Sequence, residues 1–232
     1  MARVYAADGD CLYLLGRDPT KLRALESALG SAVVGSRVAD FTATSGNEAL
    51  VAEAIDKLGG LDTAVIAHGW LGDQLESERS FAHAEAVFAV NLLSVVSFVI
   101  PVANHFEAQR SGSLVVLSSV AGDRGRPRNY TYGAAKGGLT LYLQGLRSRL
   151  YSAGVRVCTV RLGPVDTPMT VDHPKTPLFA TPADVARTIV RAGSTRFGSG
   201  DVYVPGYWRP IMGVVRGLPE WVFQRFSFLA GR

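Results

Sequence analysis

Cysteine is scarce in this chain: its 232 residues carry two, Cys11 and Cys158. Neither has a partner at metal-ligand spacing, which excludes a cysteine-built metal site and a disulfide scaffold. Each stands in an apolar, strand-like run, Cys11-Leu12-Tyr13-Leu14-Leu15 and Val155-Arg156-Val157-Cys158-Thr159-Val160. Both are expected to be buried free thiols of a reducing cytoplasm. Dense runs of one charge are missing too. Lys and Arg total 24 against 20 Asp and Glu, a formal charge of +4, which offers no stripe for nucleic acid. Met1-Ala2-Arg3 leads into no apolar segment of the signal-peptide kind. No uninterrupted apolar run approaches the roughly 20 residues of a membrane-spanning helix. Repeats, linkers and a second domain are not visible. With 47% hydrophobic and 19% charged residues, the chain has the length and composition of one folded α/β domain.

The sequence is organised around Ser118-Ser119-Val120-Ala121-Gly122 and Tyr132-Gly133-Ala134-Ala135-Lys136. Ahead of the first run, Gly112-Ser113-Leu114-Val115-Val116-Leu117 predicts a buried strand ending at Ser118. After the second, Leu139 to Arg147 has apolar positions at helical spacing. Tyr132 and Lys136 are four apart at the start of that helix and share a face. An ammonium beside a phenol favours the phenolate, which is expected to pull the Tyr132 pKa down from about 10. Such a tyrosine gives a proton to a carbonyl oxygen or takes one from an alcohol. Alone, Tyr-x-x-x-Lys reads as a surface helix pair. Ser119, 13 residues earlier at a strand end, adds a hydroxyl to the same pocket. Tyr130 has no such partner, because Ala134 stands four residues on.

Those two runs and their spacing resemble the short-chain dehydrogenase/reductase family. The resemblance implies a Rossmann-like doubly wound parallel sheet, NADP or NAD as cofactor, and hydride transfer with Tyr132 as proton donor, Ser119 on the carbonyl oxygen and Lys136 on the nicotinamide ribose. It gives Asn91, in Phe88-Ala89-Val90-Asn91-Leu92, a water of a proton relay; read from the residues alone, Asn91 is a satisfied core amide. It places Asp40, followed by Phe41, beside the adenine, where a turn-capping role is the alternative. Where the family carries Asn-Asn-Ala-Gly, this chain has Ile66-Ala67-His68-Gly69. Gly69 then lets the backbone approach the adenosine, and His68 fills the alanine's place rather than acting as a base. Arg161-Leu162-Gly163-Pro164-Val165-Asp166-Thr167-Pro168 is similar to the family's Pro-Gly-x-Val-x-Thr loop, with Leu162 for the proline. Backbone groups at Val165 and the hydroxyl of Thr167 would hold the carboxamide. Arg17, after Gly16, suits the 2′-phosphate of NADP, with a solvated side chain as the alternative.

In chain order, residues 2–8 read as the tail of a helix and 11–15 as a strand. A helix follows from Thr20 to Leu29, a strand from Val33 to Asp40, and a helix from Ser45 to Leu58 ending in Gly59-Gly60. Residues 62–67 predict a strand. His83 to Gln109 predicts a long helix interrupted near Pro101, and residues 155–161 and 201–204 predict the remaining strands. Met169 to Pro182 reads as a mobile substrate lid or a plain loop, and Thr181 as an N-cap with Pro182 in the first turn. In this order the strand at 11–15 takes the second place of the fold. The first strand and its Gly-rich turn have no counterpart, whether because the chain starts at an internal methionine or because the cofactor site has been lost. That strand is central in an order of 3-2-1-4-5-6, so its neighbours are expected to lack ladder partners.

Residues 1–204 are read as a dinucleotide-binding and catalytic domain, and 205–232 as its helical tail. The tail interleaves Tyr207, Trp208, Trp221, Phe223, Phe226 and Phe228 with Arg209, Arg216, Arg225 and Arg232 against Glu220. That mixture suits a membrane surface, or a dimer-forming or substrate-covering segment. The tail, His68-Gly69-Trp70-Leu71-Gly72-Asp73 and the Asn129–Lys136 run look similar to a subgroup that includes decaprenylphosphoryl-2-keto-β-D-erythro-pentose reductase. The resulting expectation is an NAD(P)H-dependent ketone reductase acting on a keto sugar or lipid-linked sugar. It would be a cytoplasmic homo-oligomer, peripheral at the membrane's inner face. The alternatives are a soluble small-molecule carbonyl or alcohol reductase and a non-catalytic remnant.

Overall fold

Short apolar runs rich in β-branched residues form the strands, and amphipathic segments between them return the chain across the sheet. A computed structural model describes residues 1–171, 175–194 and 199–225. Their order is α1 (Ala2–Ala7), β1 (Leu12–Gly16), α2 (Pro19–Leu29), β2 (Val33–Val38), α3 (Asn47–Leu58), β3 (Thr63–Ile66), α4 (Gln74–Arg79), α5 (Phe81–Phe88), α6 (Ser94–Gln109), β4 (Ser113–Ser119), α7 (Tyr130–Leu150), β5 (Arg156–Leu162), α8 (Pro182–Ser194), β6 (Gly200–Val204), α9 (Trp208–Gly217) and α10 (Glu220–Arg225). Asp172, His173 and Pro174 of the expected lid, and Phe226, Phe228 and Arg232 of the tail, lie outside the described residues.

Every ladder is parallel, as strand–helix–strand connections require. β3, β4, β5 and β6 pair in that order, whereas β1 pairs with β2 alone. The doubly wound sheet is thus present in two pieces. Leu15 of β1 and Ala64 and Ile66 of β3 line one common core, yet no ladder joins their strands. Among the described residues no strand fills that interval, in keeping with the expected loss of ladder partners.

β4 lies between β3 and β5, and its Leu114, Val115 and Val116 are fully buried. One side of the sheet is covered by α3, α6 and α7, through Val51, Phe98, Val99, Phe106, Leu139 and Leu143 among others. Fully burying one such side chain contributes roughly 1.5–3 kcal/mol. The other side is covered by α8, with Val185 and Ile189 against Val115, Cys158 and Val160, and Met1 packs there as well.

Several boundaries follow from local chemistry. Asp18 caps α2 by accepting from the Thr20 and Lys21 amides, with Pro19 in the first turn. Gly59 ends α3 in the left-handed region, at φ 70°, where a Cβ is unfavourable. The Asp184 amide donates to the Thr181 hydroxyl at the head of α8. Two expectations need correction. Cys11 is exposed, because β1 begins one residue later at Leu12. Pro101 does not interrupt its helix; it lies inside α6. The irregularity is instead a π-turn at Ala89–Leu93, between α5 and α6. Helix Phe81–Gln109 as a whole is long and apolar enough to cross a membrane, with a mean hydropathy of 2.3 over its most apolar window. Here it is a core helix, with Val95, Val99, Ala103 and Phe106 buried against the sheet and α7.

Candidate active site

β4 delivers Ser119 to the C-terminal edge of the sheet, and α7 delivers Tyr132 and Lys136. The Ser119 hydroxyl accepts from the Ala121 amide at 3.1 Å and so closes a 3-10 turn over Val120–Gly122. That turn is pressed onto α7. A Cβ on Gly122 would sit 2.6 Å from the Gly137 nitrogen and 2.8 Å from the Lys136 carbonyl carbon, so only glycine permits the approach. Behind it, the buried Ser118 hydroxyl meets Thr140 at 2.8 Å and the Lys136 carbonyl at 3.1 Å. Strand end and helix are locked together by these contacts.

Lys136 is 3% exposed. Its Nζ donates to the Leu117 carbonyl at 2.9 Å and lies 5.9 Å from the centre of the Tyr132 ring. Burial pushes the Lys136 pKa down to about 8. Tyr132 behaves differently from the sequence-based expectation. Burial pushes its pKa up to about 12, and the Ser119 hydroxyl offsets this only in part. The Lys136 ammonium, which donates to the Leu117 carbonyl, does not lower it. The Tyr132 phenol therefore keeps its proton across the neutral range.

Asn91 occupies the π-turn, and such turns recur at functional sites. Its Nδ2 donates to the Val87 carbonyl (2.8 Å) and the Trp70 carbonyl (2.6 Å), and its Oδ1 accepts from the Trp70 amide (3.0 Å). Both amide hydrogens are therefore engaged, while Oδ1 keeps a second lone pair. A Cβ on Gly69 would lie 3.0 Å from that oxygen and 3.6 Å from Lys136 Nζ. Gly69 thus keeps open a space flanked by the two polar groups.

His68 is held at 2.9 Å by Ser94, whose hydroxyl donates to the Val90 carbonyl. Ser94 must then accept from His68, which assigns the ring proton to Nε2. Burial, then the Lys136 charge, pushes the His68 pKa down to about 4. It is neutral and packed against Phe41, 4.8 Å between centroids.

The remaining expected ligands are less assembled. Asp40 is exposed and accepts from the Thr42 amide and hydroxyl, which is the turn-capping alternative. These bonds, with a smaller contribution from Arg17, hold its carboxyl below the usual value. Arg17 is exposed at the end of β1. The Val165 carbonyl accepts from the Thr170 hydroxyl at 2.6 Å, and the Thr167 side chain caps the short turn Pro168–Thr170. Both are occupied locally.

NAD(P) fits one half of this arrangement. Lys136 Nζ has one protein acceptor and two further hydrogens, beside the space that Gly69 leaves open. The helix after β1 gives the pyrophosphate half no seat. The helix after β1 begins with the Asp18 carboxylate on its first amides, which repels rather than receives a phosphate.

Sequence reasoning missed the frame behind Ser119. Asp123 is fully enclosed and paired with Arg161 of β5, which also pairs with Asp201 of β6. The Tyr203 hydroxyl adds a bond to Asp123 at 2.9 Å, and Arg147 reaches Asp201 at 3.0 Å. A charged residue inside the apolar run Val157-Cys158-Thr159-Val160-Arg161 was the available signal, since a buried guanidinium demands anions. The tail is part of the same frame. Trp208 and Met212 of α9 form a buried cluster with Val120, and the Tyr207 hydroxyl donates to the Leu178 carbonyl at 2.9 Å.

Comparisons with known proteins place the chain in a family. The family model described as short chain dehydrogenase matches residues 1–177. An uncharacterised oxidoreductase of Mycobacterium tuberculosis is 37% identical over 228 residues, 97% of this chain and 90% of its own length. A hydroxysteroid 11-beta-dehydrogenase 1-like protein of Xenopus tropicalis is 31% identical over 233 residues, covering 95% and 80% of the two chains. In fold, the chain is similar to an actinorhodin polyketide ketoreductase solved with NADPH, at a TM-score of 0.77, 21% identity and 87% coverage of each chain. With the family model matching most of the chain and a relative of this closeness along nearly its whole length, the chain belongs to the short-chain dehydrogenase family and is one of its oxidoreductases.

Proposed function

We propose that the protein reduces a ketone to an alcohol, with Tyr132 giving the proton to the carbonyl oxygen. The observation that carries this reading is the Tyr132 hydroxyl hydrogen-bonded to Ser119, with Lys136 one helical turn away. Ser119 positions the carbonyl oxygen, and the phenol donates to it as negative charge develops there. Asn91 Oδ1 and Lys136 Nζ flank the space at Gly69, where a water bonded to both would return a proton toward Tyr132. NADPH or NADH would supply the hydride. Lys136 would hold the nicotinamide ribose, with Gly69, expected at the adenosine, instead letting the cofactor approach beside it; Val165 and Thr167 would hold the carboxamide, and Asp40 and Arg17 the adenosine end, with Arg17 favouring NADP.

The finer reading keeps a keto sugar, free or lipid-linked, as substrate. Trp221 is 64% exposed with the Arg225 guanidinium 5.7 Å from its ring centre, a pairing that supports contact with a membrane surface. Leu93 at the end of the π-turn, Ile100 of α6 and Leu141 of α7 are exposed, which supports a homo-oligomer. The test is reduction of a panel of keto sugars and simple ketones by NADPH and by NADH, followed at 340 nm. Consumption that requires the ketone supports the reading; none across the panel, with cofactor shown to bind, opposes it.

A further inference from the structure

Arg124 stands five residues beyond Ser119 and has no part in the reaction above. Its side chain is 12% exposed. Nη1 donates to the main-chain carbonyls of Val215 (3.0 Å) and Leu218 (2.5 Å), and more distantly Arg216 (3.4 Å). These are carbonyls at the end of α9, where a helix leaves its last acceptors unpaired and favours a cation. Nη2 pairs with Glu220 of α10 at 2.8 Å, and the guanidinium carbon lies 4.3 Å from the centre of the buried Phe223 ring. One arginine therefore ties both C-terminal helices to the segment that follows the serine.

Its neighbour Asp123 is tied the other way, to Arg161 on β5 and Tyr203 on β6. At the opposite end of the same short segment, Ser119 caps its turn and Gly122 abuts the backbone of α7. Val120, between them, is packed under Trp208 and Met212. The turn is gripped by α7 on one side and by β5, β6, α9 and α10 on the other.

We propose that Arg124 and Asp123 are positioning residues that fix the Ser119 hydroxyl relative to Tyr132, making α9 and α10 part of the active-site frame. This rests on the ketone reduction assigned to Ser119 and Tyr132. A tail serving only as a surface anchor would have no reason to be latched to the serine turn by an enclosed arginine.

The test compares the full chain with Arg124→Ala, Arg124→Lys and Asp123→Asn, and carries Tyr132→Phe alongside. Amide hydrogen exchange, read by mass spectrometry without ligand, should be about tenfold faster over residues 118–124 in Arg124→Ala and unchanged in β3. With NADPH and 9,10-phenanthrenequinone as probe ketone, kcat should fall on the order of tenfold while KM for NADPH stays within about twofold. Arg124→Lys, which keeps a cation at the end of α9, should recover most of both. Unchanged exchange over 118–124 in Arg124→Ala would overturn the proposal, as would parent-like kcat with the turn loosened. If Arg124→Ala does not fold, Glu220→Ala and Phe223→Leu weaken the same latch and carry the same two expectations. An active Tyr132→Phe variant would remove the reaction on which the proposal rests, whereas an inactive one beside a fully active Arg124→Ala would overturn the positioning role alone.

Discussion

Replacing Arg161 by methionine isolates the charged frame behind the serine turn. Arg161 is 5% exposed and is the cation for both Asp123 and Asp201. Methionine keeps most of the stem volume and removes the charge, which leaves the fully enclosed Asp123 with the Tyr203 hydroxyl as its side-chain partner among the described residues. Removing one member of a buried pair costs about 3–5 kcal/mol, because the other charge is left in a poor solvent. Arg147 still compensates Asp201, and Tyr203 still bonds Asp123, so the lower end applies, about 3 kcal/mol. For a chain of this size that lowers Tm by on the order of 10 °C. Differential scanning calorimetry at pH 7 reads it, with urea unfolding as a second measure. The double variant Asp123→Asn with Arg161→Met should recover part of the loss, since no uncompensated charge then remains. A Tm within about 2 °C of the parent would refute the reasoning.

Three further outcomes follow from the same structure. Gly69→Ala puts a methyl group 3.0 Å from Asn91 Oδ1, and should weaken NADPH binding by roughly tenfold while costing little Tm; intrinsic-fluorescence titration measures it. Arg17→Ala should weaken NADPH and leave NADH unchanged; equal effects on both would return Arg17 to a solvated side chain. The Asp201 pKa lies below its usual 3.8, because Arg161 and Arg147 outweigh its burial. A carboxyl depressed on folding stabilises above its unfolded pKa and loses that contribution as pH falls through the folded value. Acid unfolding should therefore steepen below about pH 4 in the parent and less so in Arg161→Met.

Much of this was legible because local chemistry and tertiary context agree. The β-branched run ending at Ser118-Ser119 forms β4, which ends one residue later than expected. Tyr132 and Lys136 share a face because helical spacing leaves them no alternative. The interval between β1 and β3 followed from counting strands. Asn91 was identifiable as a polar residue in an apolar helix, but its π-turn was not. That distortion depends on main-chain partners at Val87 and Trp70, which periodicity does not encode. The direction of the Tyr132 shift failed for a related reason. Spacing gives adjacency of Tyr132 and Lys136, while desolvation depends on how deeply β4 and the serine turn enclose them. Tail composition left three readings open. The burial of Trp208 and Phe223, and the reach of Arg124 to the end of α9, came only with three dimensions.

The proposed reaction turns on a proton from Tyr132. Tyr132→Phe keeps the ring that packs beside Lys136 and removes only the hydroxyl. Loss of a general acid lowers turnover by about 100- to 10,000-fold. Steady-state NADPH oxidation with a ketone the parent reduces, alongside a binding titration of NADPH, is the direct measurement. The expected result is kcat lowered by at least about 100-fold with NADPH affinity unchanged. Turnover close to that of the parent would contradict it.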